Sequence, residues 1–145
     1  MNIPGFAPSV STSGEAITGA AALLGVTFPA AYREVLAEFS GAYGDAEFPM
    51  PGSEHPGSIG HWLSIDPWQR NSLWSVVSSW PEHGLPRTVV PVAATGSGNY
   101  LCLDYRVMRE PSIAFWWHEL PDEQGLDKVA SSFSEFLVSL REPGA

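Results

Sequence analysis

Apolar positions spaced three and four residues apart mark the helices of this chain. Ile17, Ala21 and Leu24 fall on one helical face. Thr12 and Glu15 stand at capping-box spacing before them, and Gly25 supplies the stop. A second helix follows at once. Pro29 suits a first helical turn, where its missing N–H leaves no bond unmade. Tyr32, Val35, Leu36 and Phe39 form its buried stripe, Arg33, Glu34, Ala37 and Glu38 fall elsewhere, and Gly41 ends it. Val129, Phe133, Phe136, Leu137 and Leu140 repeat the stripe and predict a closing helix.

Between these helices the period changes to two. "TVVPVAA" (88–94), "NYLCLDY" (99–105) and "SIAFWWH" (112–118) read as three strands joined by short links, hence an antiparallel meander. In the middle strand Leu101 and Leu103 point one way, and Tyr100, Cys102 and Asp104 the other. "AEFPM" (46–50) reads as an edge strand, because Pro49 and Pro51 cannot donate to a ladder. "IGHWLSI" (59–65) reads as another strand. Asp66 and Pro67 stand where they could cap a third helix, with Leu73, Val76, Val77 and Trp80 inward and Trp80-Pro81 as its end. Trp62, Trp68, Trp74 and Trp80 recur every six residues. Six helical steps turn by ~600°, so they share no helix face, and the spacing is coincidence.

The fold class is therefore α+β, with a central, mostly antiparallel sheet flanked by N-terminal and C-terminal helices. One domain accounts for residues 1–145, with 1–11 expected as a flexible arm and 142–145 as a tail. A chain of this size buries roughly 68–70% of its unfolded surface and needs neither metal nor disulfide to fold. Its single cysteine, Cys102, makes no internal disulfide, and no signal segment opens the chain, which points to the cytoplasm.

The net charge is −9, from 16 acidic and 7 basic residues. Nucleic-acid binding rests on lysines and arginines against phosphates, so that class is disfavoured, as are anionic membranes. A basic protein partner is favoured, because opposite fields steer encounter.

No motif supplies a reaction centre. "GSGNYLCLDY" (96–105) lacks the third glycine of a dinucleotide fingerprint, since Leu101 stands there, and its glycines precede a strand instead of a helix. Ser97 lacks the flanking glycines of a nucleophile elbow; Thr95 and Asn99 stand there. The stretch is a bend whose glycines provide positive φ. His118-Glu119 begins like a zinc-protease motif, but the second histidine is missing and Pro121 breaks the helix. Glu54, His55 and His61 have no recognised ligand spacing, His83 reads as a solvated loop residue, and Cys102 reads as a small buried hydrophobe. No catalytic residue, metal or cofactor is assigned. In Trp116-Trp117 adjacent side chains must point to opposite sheet faces, so one enters the core and the other meets a second layer, solvent or a partner.

Three segments together resemble the SUKH superfamily, the Smi/Knr-type domain. "LGVTFPAAYREVLAEFSGA" is similar to its Leu-Gly…Pro-x-x-Tyr signature. "VVPVAATGSGNYLCLDY" is similar to its Pro-containing strand, its Gly-x-Gly turn and its strand ending in Asp. "VASSFSEFLVSL" is similar to its closing helix. Gly25, Pro29, Tyr32, Gly41, Pro91, Gly96, Gly98, Asp104, Phe133 and Phe136 carry the match, mostly as turn, cap and core residues. The resemblance implies an α+β fold and, for many bacterial members, an immunity protein that binds and neutralises a cognate toxin of a polymorphic or contact-dependent system. Such toxins are commonly basic nucleases or other nucleic-acid-modifying enzymes. The resemblance also allows a regulatory or scaffold module of the same fold; independent of it, a small-molecule or metal-binding enzyme built around His55, His61 and Cys102 is the third alternative. Residues 45–85 match least and carry unusual tryptophans, which makes them the expected seat of partner specificity. Acidity and placement select Glu47, Glu54, Asp66, Trp68, Asp104 and Trp116 as partner contacts on a monomer or weak dimer.

Overall fold

In a computed structural model of the chain, helix α1 spans Gly14–Leu24 and begins one residue later than the capping-box spacing predicts. Ser13, not Thr12, is its cap, and Ser13 Oγ accepts from the Ala16 amide at 3.2 Å. Gly25 closes it in the left-handed region at φ 72°, where a side chain would be strained. Helix α2, Ala30–Phe39, follows with Pro29 as its cap and buries Tyr32, Val35, Leu36 and Phe39 as expected. The structure describes all residues except 10, 80, 81, 83, 121 and 145, together with the side chains of 122 and 123. The expectations for Trp80, Pro81 and His83 lie outside the described residues.

Six strands follow as one antiparallel meander in chain order: β1 Tyr43–Phe48, β2 Gly57–Trp62, β3 Val89–Ala94, β4 Tyr100–Asp104, β5 Ser112–Trp116 and β6 Leu126–Ala130. The short helix α3, Leu73–Val77, lies between β2 and β3 and packs against β3. Its cap is Ser72, not Asp66, and Asp66 instead folds back onto the Trp68 amide. Helix α4, Phe133–Ser139, closes the domain with Ser132 Oγ accepting from the Glu135 amide.

Strand register settles the two sheet faces. Leu101 lies opposite Ala93 and Phe115, and Leu103 opposite Val90 and Ile113. Phe48 meets Phe115 at 6.1 Å and Phe136 at 5.2 Å, so α4 covers this face. Phe133 of α4 touches Tyr32 of α2 at 5.3 Å and Trp62 of β2 at 6.2 Å. The core therefore sits between the sheet and the α2–α4 pair. His61, Ala94, Tyr100 and Trp116 form a row on the opposite face.

The closing helix is shorter than its stripe predicts. Val129 belongs to β6, which pairs with β5 from Leu126 to Ala130. Without β6 the backbone of β5 would be left unpaired on one side, and pairing outweighs the helical spacing of Val129. The hairpin between β3 and β4 is the glycine bend of residues 95–99. Gly98 takes φ 90°, while Thr95 Oγ1 accepts from the Asn99 amide at 3.1 Å.

The N-terminal arm is docked, not loose. Ile3 and Phe6 are buried, Phe6 packs on Trp62 at 6.0 Å, and Phe6 bridges Gly44 at the outer edge of β1. Glu47 and Arg141 bridge further along the same edge. Both ends of the chain thus cover an edge that would otherwise offer unpaired N–H and C=O groups to other chains. Gly5 permits this closeness: it holds φ +79°, and a Cβ there would lie 1.8 Å from the Asp45 carbonyl oxygen. Gly5→Ala is expected to cost about 1–3 kcal/mol and to release residues 1–9. Hydrogen exchange at the Asp45 amide, which donates to Gly5 O at 3.1 Å, reads the effect.

Candidate partner-binding surface

Among the described residues the most prominent apolar group on the surface is Trp68, 92% exposed. Its loop is held at every turn. Ser64 and Ser72 bridge the two ends, the Ser64 amide donates to Asn71 O at 3.1 Å, and the Leu73 amide donates to Ser64 O at 2.8 Å. Inside, Ser64 Oγ accepts from the Asp66 amide and Asp66 Oδ1 accepts from the Trp68 amide, each at 3.0 Å. Trp74 Nε1 donates to Ile65 O at 2.7 Å. The loop thus presents a large side chain on an ordered frame, which lowers the entropy lost on binding.

Two further groups adjoin it. Tyr43, 66% exposed, stacks on His61 with ring centroids 4.3 Å apart and hydrogen-bonds Asn71. Burial lowers the His61 pKa and so favours the neutral ring. A groove of about 600 Å³ runs beside the loop, lined by Ser9, Ser13, Ser40, Ser64, Asp66 and Gln69. Tyr43 was not legible as a contact, because only the fold brings the start of β1 against Asn71.

The other candidates lie apart. Glu54 is exposed in the β1–β2 hairpin turn. Glu47 is half-buried on the β1 edge, 3.9 Å from Arg141. Asp104 accepts from Arg106 Nε at 2.9 Å, Nη2 at 2.8 Å and the backbone amide at 3.0 Å. Burial pushes its carboxyl up, but the Arg106 hydrogen bonds and charge outweigh this and hold it below the usual carboxylate value. Trp116 is only 2% exposed, stacked on Tyr100 at 5.7 Å beside Gly125, and so offers no surface to a partner. Its neighbour Trp117 is the partly exposed one. Of the six, the fold gathers Asp66 and Trp68 in one loop.

The groups weighed for chemistry are scattered. Glu54 and His55 sit in the hairpin turn, whereas His61 stacks on Tyr43 at the other end of β2. Among the described residues no three His, Cys, Asp or Glu side chains gather at metal-binding distance. Cys102 is fully buried, and burial, with the nearby Asp104 carboxylate, pushes its thiol well above the ordinary value. Native protein is therefore expected to resist a thiol reagent such as DTNB and to titrate fully once unfolded in urea. Rapid native labelling would show an accessible thiolate instead.

The family described as SMI1 / KNR4 family (SUKH-1) matches residues 11–139, nearly the whole chain. The chain belongs to the SUKH-1 family. No curated protein matches it. The residues that carry the SUKH-1 signature here are structural: Gly25 and Gly41 adopt positive φ, Pro29 caps α2, and Tyr32, Phe133 and Phe136 are core. Tyr32 is wedged edge-on against Phe28 at 4.9 Å. SUKH-1 proteins are in general non-catalytic immunity proteins, and none of these positions builds a reaction site. No described helix is long and apolar enough to cross a membrane.

Proposed function

We propose that this SUKH-1 domain is a non-catalytic immunity protein that occludes a basic cognate toxin in the cytoplasm. The toxin class favoured is a nuclease or other nucleic-acid-modifying enzyme of a polymorphic or contact-dependent system. The observation that carries the proposal is the tied loop presenting Trp68, set on a chain of net charge −9. Charge accelerates encounter, and an anchored aromatic slows escape. Asp66 and Trp68 supply the contacts in one loop, and the outlying Glu47, Glu54 and Asp104 add to the field that steers encounter.

The toxin domain produced from the neighbouring gene is expected to co-purify with this protein and to lose activity at a one-to-one ratio. The association rate should fall as salt rises, because screening shortens the reach of the acidic surface. A toxin that stays fully active in excess protein overturns the proposal.

A further inference from the structure

A second recess lies at the hairpin end of the sheet, on the face that carries Phe115. It has a volume of about 340 Å³ and is framed by the β1–β2 turn and the β3–β4 turn. That is the low end of the ~300–1,000 Å³ range of ligand clefts, room for one side chain. Its inner wall is aromatic: Phe115, 2% exposed, meets Trp117 edge-on at 4.8 Å. Asp127 closes one side, and its Oδ2 accepts from Trp117 Nε1 at 2.8 Å. The other described lining residues carry no carboxylate, and Ser58, Ser97 and Asn99 among them are polar and uncharged.

The charge balance is one-sided. Among the described residues no lysine or arginine lines the recess. Lys128 follows Asp127 in sequence but pairs with Ala114, whereas Asp127 pairs with Phe115, so Lys128 faces the other side of the sheet. Among the described residues Asp127 has one hydrogen bond, from a neutral indole, and no cationic partner. Glu54 sits in sequence between the lining residues Ser53 and His55, and Glu119 lies two residues beyond Trp117. An anionic ligand would be repelled here.

We propose that this recess receives an arginine side chain of the partner. A guanidinium stacks on aromatic faces, forks its donors onto a carboxylate and lays its apolar stem along apolar walls. Trp117 and Asp127 supply those elements side by side, with Phe115 buried behind Trp117 as its support. The proposal rests on the basic partner proposed above and adds a second anchor to the Trp68 loop.

The test uses the intact protein and a short probe, acetyl-Gly-Arg-Gly-amide, with the citrulline peptide as its neutral isostere. Saturable NMR shifts are expected at the Trp117 indole N–H and at the amides of residues 52–58 and 97–99. Citrulline should bind about tenfold more weakly, and Asp127→Asn should weaken the arginine peptide by a similar factor. Asn keeps a carbonyl oxygen for Trp117 Nε1, so this variant alters charge with little change of shape; an unchanged amide spectrum elsewhere confirms that it folds. The proposal is overturned by absence of a saturable shift up to ~20 mM peptide, by equal binding of citrulline, or by binding that Asp127→Asn leaves untouched. A failed titration removes the recess and leaves toxin neutralisation standing. A toxin that ignores the protein removes neutralisation and leaves the recess.

Discussion

Phe136→Ala is expected to lower folding stability by about 3–5 kcal/mol, the usual loss when a buried phenylalanine becomes alanine. Phe136 is 0% exposed. It meets Phe48 of the edge strand edge-on at 5.2 Å and Phe133 of its own helix at 6.1 Å. Phe48 in turn meets Phe115 in the sheet interior at 6.1 Å. Phe136 thus ties α4 to β1 and, through Phe48, to β5, and a void there loosens that chain of contacts. Typical domains hold only ~5–15 kcal/mol of net stability, so the variant should be partly unfolded or melt far earlier. The midpoint of urea unfolding checks this, and an unchanged slope shows that the same surface is exposed. Phe136→Leu should lose much less, because most of the volume remains. A midpoint for Phe136→Ala close to the parent value would mean that α4 does not hold the sheet as described.

Trp68→Ala is expected to do the opposite. Its side chain is 92% exposed, so folding stability should change by less than ~0.5 kcal/mol. Toxin affinity should fall by about 2 kcal/mol or more, roughly thirtyfold, the cost of losing an aromatic anchor. Most of that loss should appear as faster dissociation, because the charge that steers encounter is untouched. Glu54→Gln should show the reverse signature, a slower association that high salt erases. Calorimetry and binding kinetics on the purified pair separate the two. Undiminished affinity of Trp68→Ala would place the interface elsewhere on the domain.

Local spacing was a sound guide where a segment's partners lie close in sequence. The α2 stripe is buried as read, and Gly25 ends α1 as read. The three-strand meander and the alternation of Leu101 and Leu103 against Tyr100 and Cys102 also hold. The misplacements have long-range causes. Val129 joined a strand because β5 needed a neighbour. The arm docked because Phe6 found Trp62 and the bare edge of β1. Asp66 forms a turn with Trp68 instead of a helix cap, because the bonds from Ser64 to Asn71 and Leu73 close the loop and leave Ser72 at the start of α3.

The sequence by itself determined the α+β class, the Gly25 stop of α1, the strand alternation and the acidic character of the surface. All of these depend on side-chain period, turn chemistry and charge, which neighbouring residues set. Only the tertiary structure decided which tryptophan faces outward. Trp116 and Trp117 are equivalent in sequence pattern, yet Trp116 is sealed beside Gly125 while Trp117 reaches Asp127. Trp116 lies on the face opposite α4 and is closed there by Tyr100 of the neighbouring strand and by Gly125. Trp117 stands at the hairpin end on the Phe115 side, and these contacts join residues far apart along the chain.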